Sequence, residues 1–265
     1  MLRKMKKLYL GLGFLLGLGL WAEGMPAIAQ SASPAARPHT QRVSQRLRFN
    51  VRNVRPSRNR IGGIARGNSC DRAISANDTP LALAPMRMSL NDANQVSVEA
   101  TISPRPTFFA YVPPTTATVA EFLLTNEDQS QVLANLLINL PTSGGIVSVQ
   151  VPPEVVPLEV GEVYNWSLEI LCDQSDRSGN TFLEGWVQRV EASPDFATRL
   201  DQTQQRDRPA LYAAEGLWQD TLASQATLLQ DNPTDPAVRA DWASLLRSVN
   251  LERIIGQPIF IPTIE

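Results

Sequence analysis

The stretch Tyr164-Asn165-Trp166-Ser167-Leu168-Glu169-Ile170-Leu171-Cys172 admits few folds. Successive residues of an extended strand point to opposite sides, so Tyr164, Trp166, Leu168, Ile170 and Cys172 share one face. Asn165, Ser167 and Glu169 take the other, which predicts a strand with one buried and one wet side. A tryptophan six residues before a cysteine, with turns on both sides, suits the centre of two packed antiparallel sheets.

The flanking sequence repeats that theme. Short apolar runs are cut by turn residues, the pattern of an all-β sandwich. Leu81 to Ala84 ends at Pro85; Val96, Val98, Ala100 and Ile102 alternate with polar residues up to Pro104. Thr107 to Val112 ends at Pro113-Pro114, while Thr118 to Thr125 and Val132 to Leu140 flank a hairpin turn at Asn126-Glu127-Asp128-Gln129. Ile146 to Val151 precedes the central strand, and Thr181 to Glu191 is the last. Leu158-x-x-Gly161-x-x-Tyr164 resembles the corner of immunoglobulin-like domains, where a tyrosine hydroxyl bonds back to the main chain. The expected fold is therefore an all-β, immunoglobulin-like antiparallel sandwich over residues 61–192, followed by a small C-terminal helical segment, α+β overall.

The period changes at Ser193. Ser193-Pro194 reads as an N-cap followed by proline at the first helical position. Asp207-Arg208-Pro209 starts a second helix, expected to run through Leu211, Tyr212, Leu217, Trp218, Leu222 and Ala226 to Leu229. Pro236 opens a third, with Val238, Trp242, Leu245 and Leu246. One such pair is too few for a helical repeat array, so Tyr212, Trp218 and Trp242 are expected to pack on the sandwich. The segment spans 193–256, and an extended tail, 257–265, includes Ile259 and Phe260 as an edge strand or edge cover.

The N-terminus reads as an address. Arg3, Lys4, Lys6 and Lys7 precede an apolar run, and Ala27-Ile28-Ala29 offers a cleavage pattern, so residues 1–29 are expected to be a signal peptide. Leu8 to Ala22 would span about 22 Å as a helix, short of the roughly 30 Å hydrocarbon core of a bilayer. No later run is long and apolar enough for a membrane span. A periplasmic or extracellular location follows.

In that setting the two cysteines, Cys70 and Cys172, read as a disulfide. A metal-bound or reactive pair is the weaker reading, because structural zinc takes four ligands and the one histidine, His39, is distant in sequence.

Charge is unevenly placed. Arg37 to Arg72 holds ten arginines and one acid; the rest of the chain after it holds ten arginines and 24 acids. Residues 30–60 have few apolar groups and are expected to form a disordered, Arg-rich linker. Its arginines can meet an acidic polysaccharide or anionic headgroups; outside the cytoplasm nucleic acid is not the expected partner.

Other candidate sites are sparse. The glycines around Arg60 and Arg66 suit a tight turn, and no Gly-Lys-Ser/Thr follows to cradle a phosphate. Phe108, Phe109 and Tyr111 are candidates for stacking on a sugar, with ordinary strand packing as the alternative. Asp173, Asp176 and Asn180 match no calcium-loop spacing and read as a polar turn. No cofactor motif is present.

Together, Gly62-Gly63-x-x-Arg66-Gly67 with Cys70, Leu81-x-Leu83-x-Pro85, Pro106-x-Phe108, Tyr111-x-Pro113, Tyr164-x-Trp166 with Cys172, Tyr212-x-x-x-Gly216-x-Trp218 and Trp242-x-x-Leu245-Leu246 resemble the domain-of-unknown-function 928 family. Ile64-Ala65 and Phe109-Ala110 depart from its pattern. The resemblance implies a secreted protein, mainly of cyanobacteria, and no established activity, so it supplies no catalytic residue. A hydrolytic triad needs a base that this chain, with one histidine, scarcely offers. The expectation is a binding or scaffolding module for an envelope protein or a glycan, with Phe108, Phe109, Tyr111, Arg60 and Arg66 as candidate binding residues. The alternative is a carbohydrate-active hydrolase using paired carboxylates.

Overall fold

A computed structural model describes residues 47–49, 70, 80–85, 98–173 and 175–264. Residues 1–29, expected to be a signal peptide, and Arg60 and Arg66 lie outside them. Nine strands are described: β1 Leu81–Ala82, β2 Val98–Thr101, β3 Thr107–Val112, β4 Val119–Asn126, β5 Val132–Asn139, β6 Gly145–Gln150, β7 Val163–Leu171, β8 Thr181–Arg189 and β9 Ile259–Phe260. Four helices follow β8: α1 Pro194–Gln202, α2 Arg208–Glu215, α3 Trp218–Asp231 and α4 Pro236–Arg247.

The strands form two sheets, ordered β1-β3-β6-β9 and β2-β8-β7-β4-β5. Between them lies a core in which Tyr164, Trp166, Leu168 and Ile170 of β7 meet Phe108, Ala110 and Val112 of β3 and Val147 and Val149 of β6. The Trp166 indole packs against Phe108 and Phe122, with ring centroids 5.3 and 6.4 Å away. The other face of the smaller sheet carries Leu83, Phe109, Tyr111 and Ile146, covered by Ala213, Trp218, Leu222, Ala226, Trp242, Leu245 and Leu246 of α2, α3 and α4. The described part of residues 42–265 is thus three-layered: larger sheet, smaller sheet, helices. Trp218 and Trp242 pack on the sandwich as expected, and Trp218 Nε1 donates to Leu83 O at 2.8 Å. A sheet covered on both faces must be apolar on both, which is why β3 and β6 read as nearly unbroken hydrophobic runs.

Several expectations need correction. The sheets are mixed: β2 pairs with β8 and β9 with β6 in parallel. Each of these parallel partners joins an edge from far away in the chain, a direction that side-chain alternation does not encode. The chain is α+β overall, as expected, with a sandwich-like pair of sheets. The second face of β7 is polar without being wet, since Asn165 and Ser167 are each 4 % exposed. Their cross-strand neighbours Trp186 and Leu123 shield them, and Asn165 Nδ2 donates to Gly185 O at 3.3 Å. The long helix expected from Asp207 to Leu229 breaks in two. Gly216 adopts φ 77°, the left-handed conformation that glycine reaches without Cβ strain. The amide of Gly216 donates to Ala213 O and that of Leu217 to Tyr212 O, closing α2 in a Schellman cap before α3 begins at Trp218.

The remaining local signals appear where the residues place them. Ser193 Oγ accepts from Phe196 N at 3.2 Å and Asp235 Oδ1 from Ala237 N at 2.8 Å, each cap followed by a helix-starting proline. Tyr164 Oη accepts from the Glu159 amide at 2.8 Å, the expected corner. Cys70 and Cys172 are joined in a disulfide across 102 residues. Within the stretch expected to be a linker, Leu47 and Phe49 are buried in the helical layer; Phe49 packs edge-on against Trp218, and its amide donates to Ser248 Oγ at 3.0 Å.

Candidate functional site

The helix-facing side of β3 and β6 changes character along its length. Paired positions run Tyr111 with Ile146, Phe109 with Ser148, then Thr107 with Gln150. It is apolar beneath the helices and polar beyond them. On α3, residues Gln219, Ala223, Ala226, Thr227 and Gln230 recur at helical spacing and line the same space with small and polar groups. Between these walls lies a cleft of about 370 Å³, completed by Thr101 of β2, by Ser103 and Arg105 of the β2–β3 connection, by Tyr212 of α2 and by Ile261 of the tail. That is the size of a small-molecule site.

Its charged groups are engaged. Asp220, in the first turn of α3, accepts from the Ile102 amide at 3.1 Å, while the Ser103 amide donates to Thr101 Oγ1 at 3.0 Å beside it. Burial pushes the Asp220 pKa up to about 6, against the lowering effect of its hydrogen bonding. Arg105 Nη2 donates to the carbonyls of Pro153 and Val155 at 2.9 and 3.0 Å, while its Nε is buried with no partner. Beside Asp220, Gln219 is 1 % exposed and donates through Nε2 to the Oε2 of Glu99, itself 2 % exposed. Burial raises the Glu99 pKa well above the ordinary carboxylate value, and the Gln219 bond opposes it. Gln219 Oε1 and Glu99 Oε1 are left without hydrogen bonds.

The sequence-proposed aromatic residues do not form one open face. Phe108 (1 % exposed) lies within the sandwich core, while Phe109 (2 %) and Tyr111 (5 %) point the opposite way, under the helices. Phe109 alone of the three lines the cleft. Tyr111 has the Arg253 guanidinium 5.7 Å above its ring. Asp173 and Asp176 cap their own turn, accepting from the amides of Ser175 and Ser178, and Asn180 Oδ1 accepts from the Cys172 amide. A pair of carboxylates does occur on the outer face of the larger sheet, where Glu121 and Glu169 are cross-strand neighbours. Both accept from one nitrogen of Arg177, at 2.6 and 2.9 Å, so they form a surface ion cluster.

The cleft itself escaped sequence reading. Its traces are there: Ser148 and Gln150 alternate with Val147, Val149 and Val151, and a polar stripe runs along α3. Neither trace says that the two elements face one another.

An α+β protein with a disulfide, two stacked sheets and a helical cover that leaves this cleft open is the class that the fold defines. Residues 61–259 match the family model described as Domain of Unknown Function (DUF928), and the chain belongs to that family. Nothing matches it among curated proteins or among solved structures.

Proposed function

We propose that the protein is an exported envelope module that binds a glycan or protein partner through the α3 cleft and does not turn its ligand over. The observation that carries this reading is the lining of the cleft: hydroxyl and amide side chains, with each charged group already hydrogen-bonded. Export is supported by the cationic and apolar N-terminal pattern, and the Cys70–Cys172 bond fits an oxidising periplasmic or extracellular compartment. The Tyr164 corner is the feature that favours an immunoglobulin-like relationship for the sheets. The Arg-rich stretch before Cys70 is a second contact for an acidic polysaccharide on the strength of its charge alone.

A carbohydrate-active hydrolase is the second reading, and Asp220 is what favours it: a carboxyl at the cleft wall with its pKa pushed up to about 6. Against it stands the Ile102 amide, whose hydrogen bond makes Asp220 a tie between α3 and the β2–β3 connection. Incubating the purified protein with oligosaccharides and peptides, followed by chromatography of products and by thermal-shift measurement, separates the two. Stabilisation by a probe without new products is the expected result. Turnover of any probe overturns the binding reading.

A further inference from the structure

We infer that the contact between β2 and α3 is a pH-operated latch: Glu99 and Asp220 hold it shut while protonated, and their ionisation parts β2 from α3. The latch goes beyond the binding reading and does not depend on it.

Two buried acids sit on one seam. Glu99 belongs to β2, and the first turn of α3 brings Gln219 and Asp220 against that strand and the residue after it. Gln219 Nε2 donates to Glu99 Oε2, and Asp220 Oδ2 accepts from the Ile102 amide at 3.1 Å. On the α3 side the seam is anchored, because Trp218 is fully buried and bonded to Leu83 O. On the other side β2 is a four-residue strand at the edge of its sheet, paired only with β8. An opening of the seam therefore moves β2.

No cation answers either carboxyl. Neither Glu99 nor Asp220 has an ion-pair partner among the described residues. β8 sets Val187 opposite Glu99 and Arg189 opposite Thr101, but Arg189 Nη1 donates to Leu158 O. Arg105, beyond β2, gives its Nη2 to the Pro153 and Val155 carbonyls. From α2, Arg208 donates to Thr203 O, and Tyr212 is an uncharged phenol whose pKa burial and then the Asp220 carboxylate raise. β3 adds Thr107 and Phe109 to the neighbouring cleft wall, and on the opposite side of β2 Ala100 packs with Phe196 and Leu217. None of these four titrates.

Such a seam suits two neutral acids and not two charges. An unpaired charge in a buried place is costly, so the group keeps its proton or reaches water. Closed, Asp220 holds its proton up to about 6; opened to water, it releases it near its ordinary 3.8. Closure is therefore strongest below 3.8 and weakens as pH rises through about 6. Glu99, raised above 4.5 by burial, extends that window upward. Thr101, Gln219 and Asp220 also line the cleft, so the opening shifts its wall.

Hydrogen exchange followed by NMR on the full chain tests the latch, with the Ile102 amide and the Gln219 carboxamide reporting its two ties. Their protection, corrected for intrinsic rates, should fall at least tenfold from pH 4.5 to pH 7.5. It should also lie below that of the β7 amides and be unmoved by low urea, the sign of a local opening. Glu99→Gln and Asp220→Asn, which cannot ionise, should each flatten the fall, and either decides the matter if the other fails to fold. Reporter protection that matches β7 and drops with urea would assign the pH effect to the whole fold and overturn the latch. An equal fall in wild type and variants would overturn it as well.

Discussion

Trp166 of β7 and Gly185 of β8 stand directly opposite one another, and the indole occupies the space that a side chain at 185 would need. A Cβ built on Gly185 would lie 2.6 Å from Trp166 Nε1 and 2.7 Å from Cε2. The tryptophan that organises the sandwich is thus admitted by an absence on the next strand. Gly185→Ala forces the ring off its contacts with Phe108 and Phe122, an overpacking expected to cost about 2–3 kcal/mol. Urea unfolding followed by Trp fluorescence measures it; a midpoint within error of wild type would show that the ring has room to move.

The disulfide closes a loop of 102 residues between Cys70 and the end of β7. By chain entropy a link of that length stabilises the fold by about 4–5 kcal/mol. Cys70→Ser/Cys172→Ser should lower the unfolding free energy measured by urea by that amount. Thiol titration of the denatured, unreduced protein should find no free sulfhydryl. Two free sulfhydryls would refute the bond.

Tyr164→Phe removes one oxygen and leaves the ring. The Glu159 amide loses its acceptor at 2.8 Å, and the corner that leads into β7 loses its tie. A cost of about 1 kcal/mol is expected, with increased amide exchange at Glu159 as the local sign. Unchanged exchange there would mean that the hydroxyl holds nothing.

Two buried acids give the stability a particular dependence on pH. Asp220 has its pKa raised from 3.8 to about 6, and Glu99 is raised well above 4.5, in both cases chiefly by burial. Between 3.8 and about 6 the unfolded chain releases the Asp220 proton while the folded chain keeps it, so stability falls as pH rises through that window. For Asp220 the loss is about 3 kcal/mol at most, and Glu99 adds to it above 4.5. Glu99→Gln keeps an acceptor for Gln219 Nε2 and cannot ionise. Urea midpoints for the variant should therefore decline less from pH 4 to pH 7.5 and exceed wild type at the upper end. Parallel curves for the two proteins would show that Glu99 does not titrate differently on folding.

How far the sequence discloses this molecule depends on the range of the interaction concerned. Strands β3 to β8 follow from alternation and from the prolines that stop them, because these act within a few residues. The cap at Ser193 and the helix start at Pro236 are local too. Gly216 was equally local, yet the apolar stripe on both sides of it suggested one helix, and only its left-handed φ reveals two. The parallel edges formed by β2 and β9 depend on partners far off in the chain. Leu47 and Phe49 are two apolar residues among arginines, and composition hides them from view although they fill the helical layer. The cleft is the least legible feature, since Ser148, Gln150 and the α3 stripe belong to separate elements that meet only in the packed fold.

The central claim is that ligand enters between α3 and the β3–β6 floor, and blocking that entrance tests it. Thr227 is exposed on α3 at the cleft, and its hydroxyl bonds only back to Ala223 O at 2.9 Å, so Thr227→Trp adds bulk at the mouth without disturbing the core. Calorimetric titration of the variant with the oligosaccharide or peptide probe that stabilises the wild type most should show affinity reduced at least tenfold at an unchanged unfolding midpoint. Binding equal to wild type would place the ligand elsewhere and contradict the site.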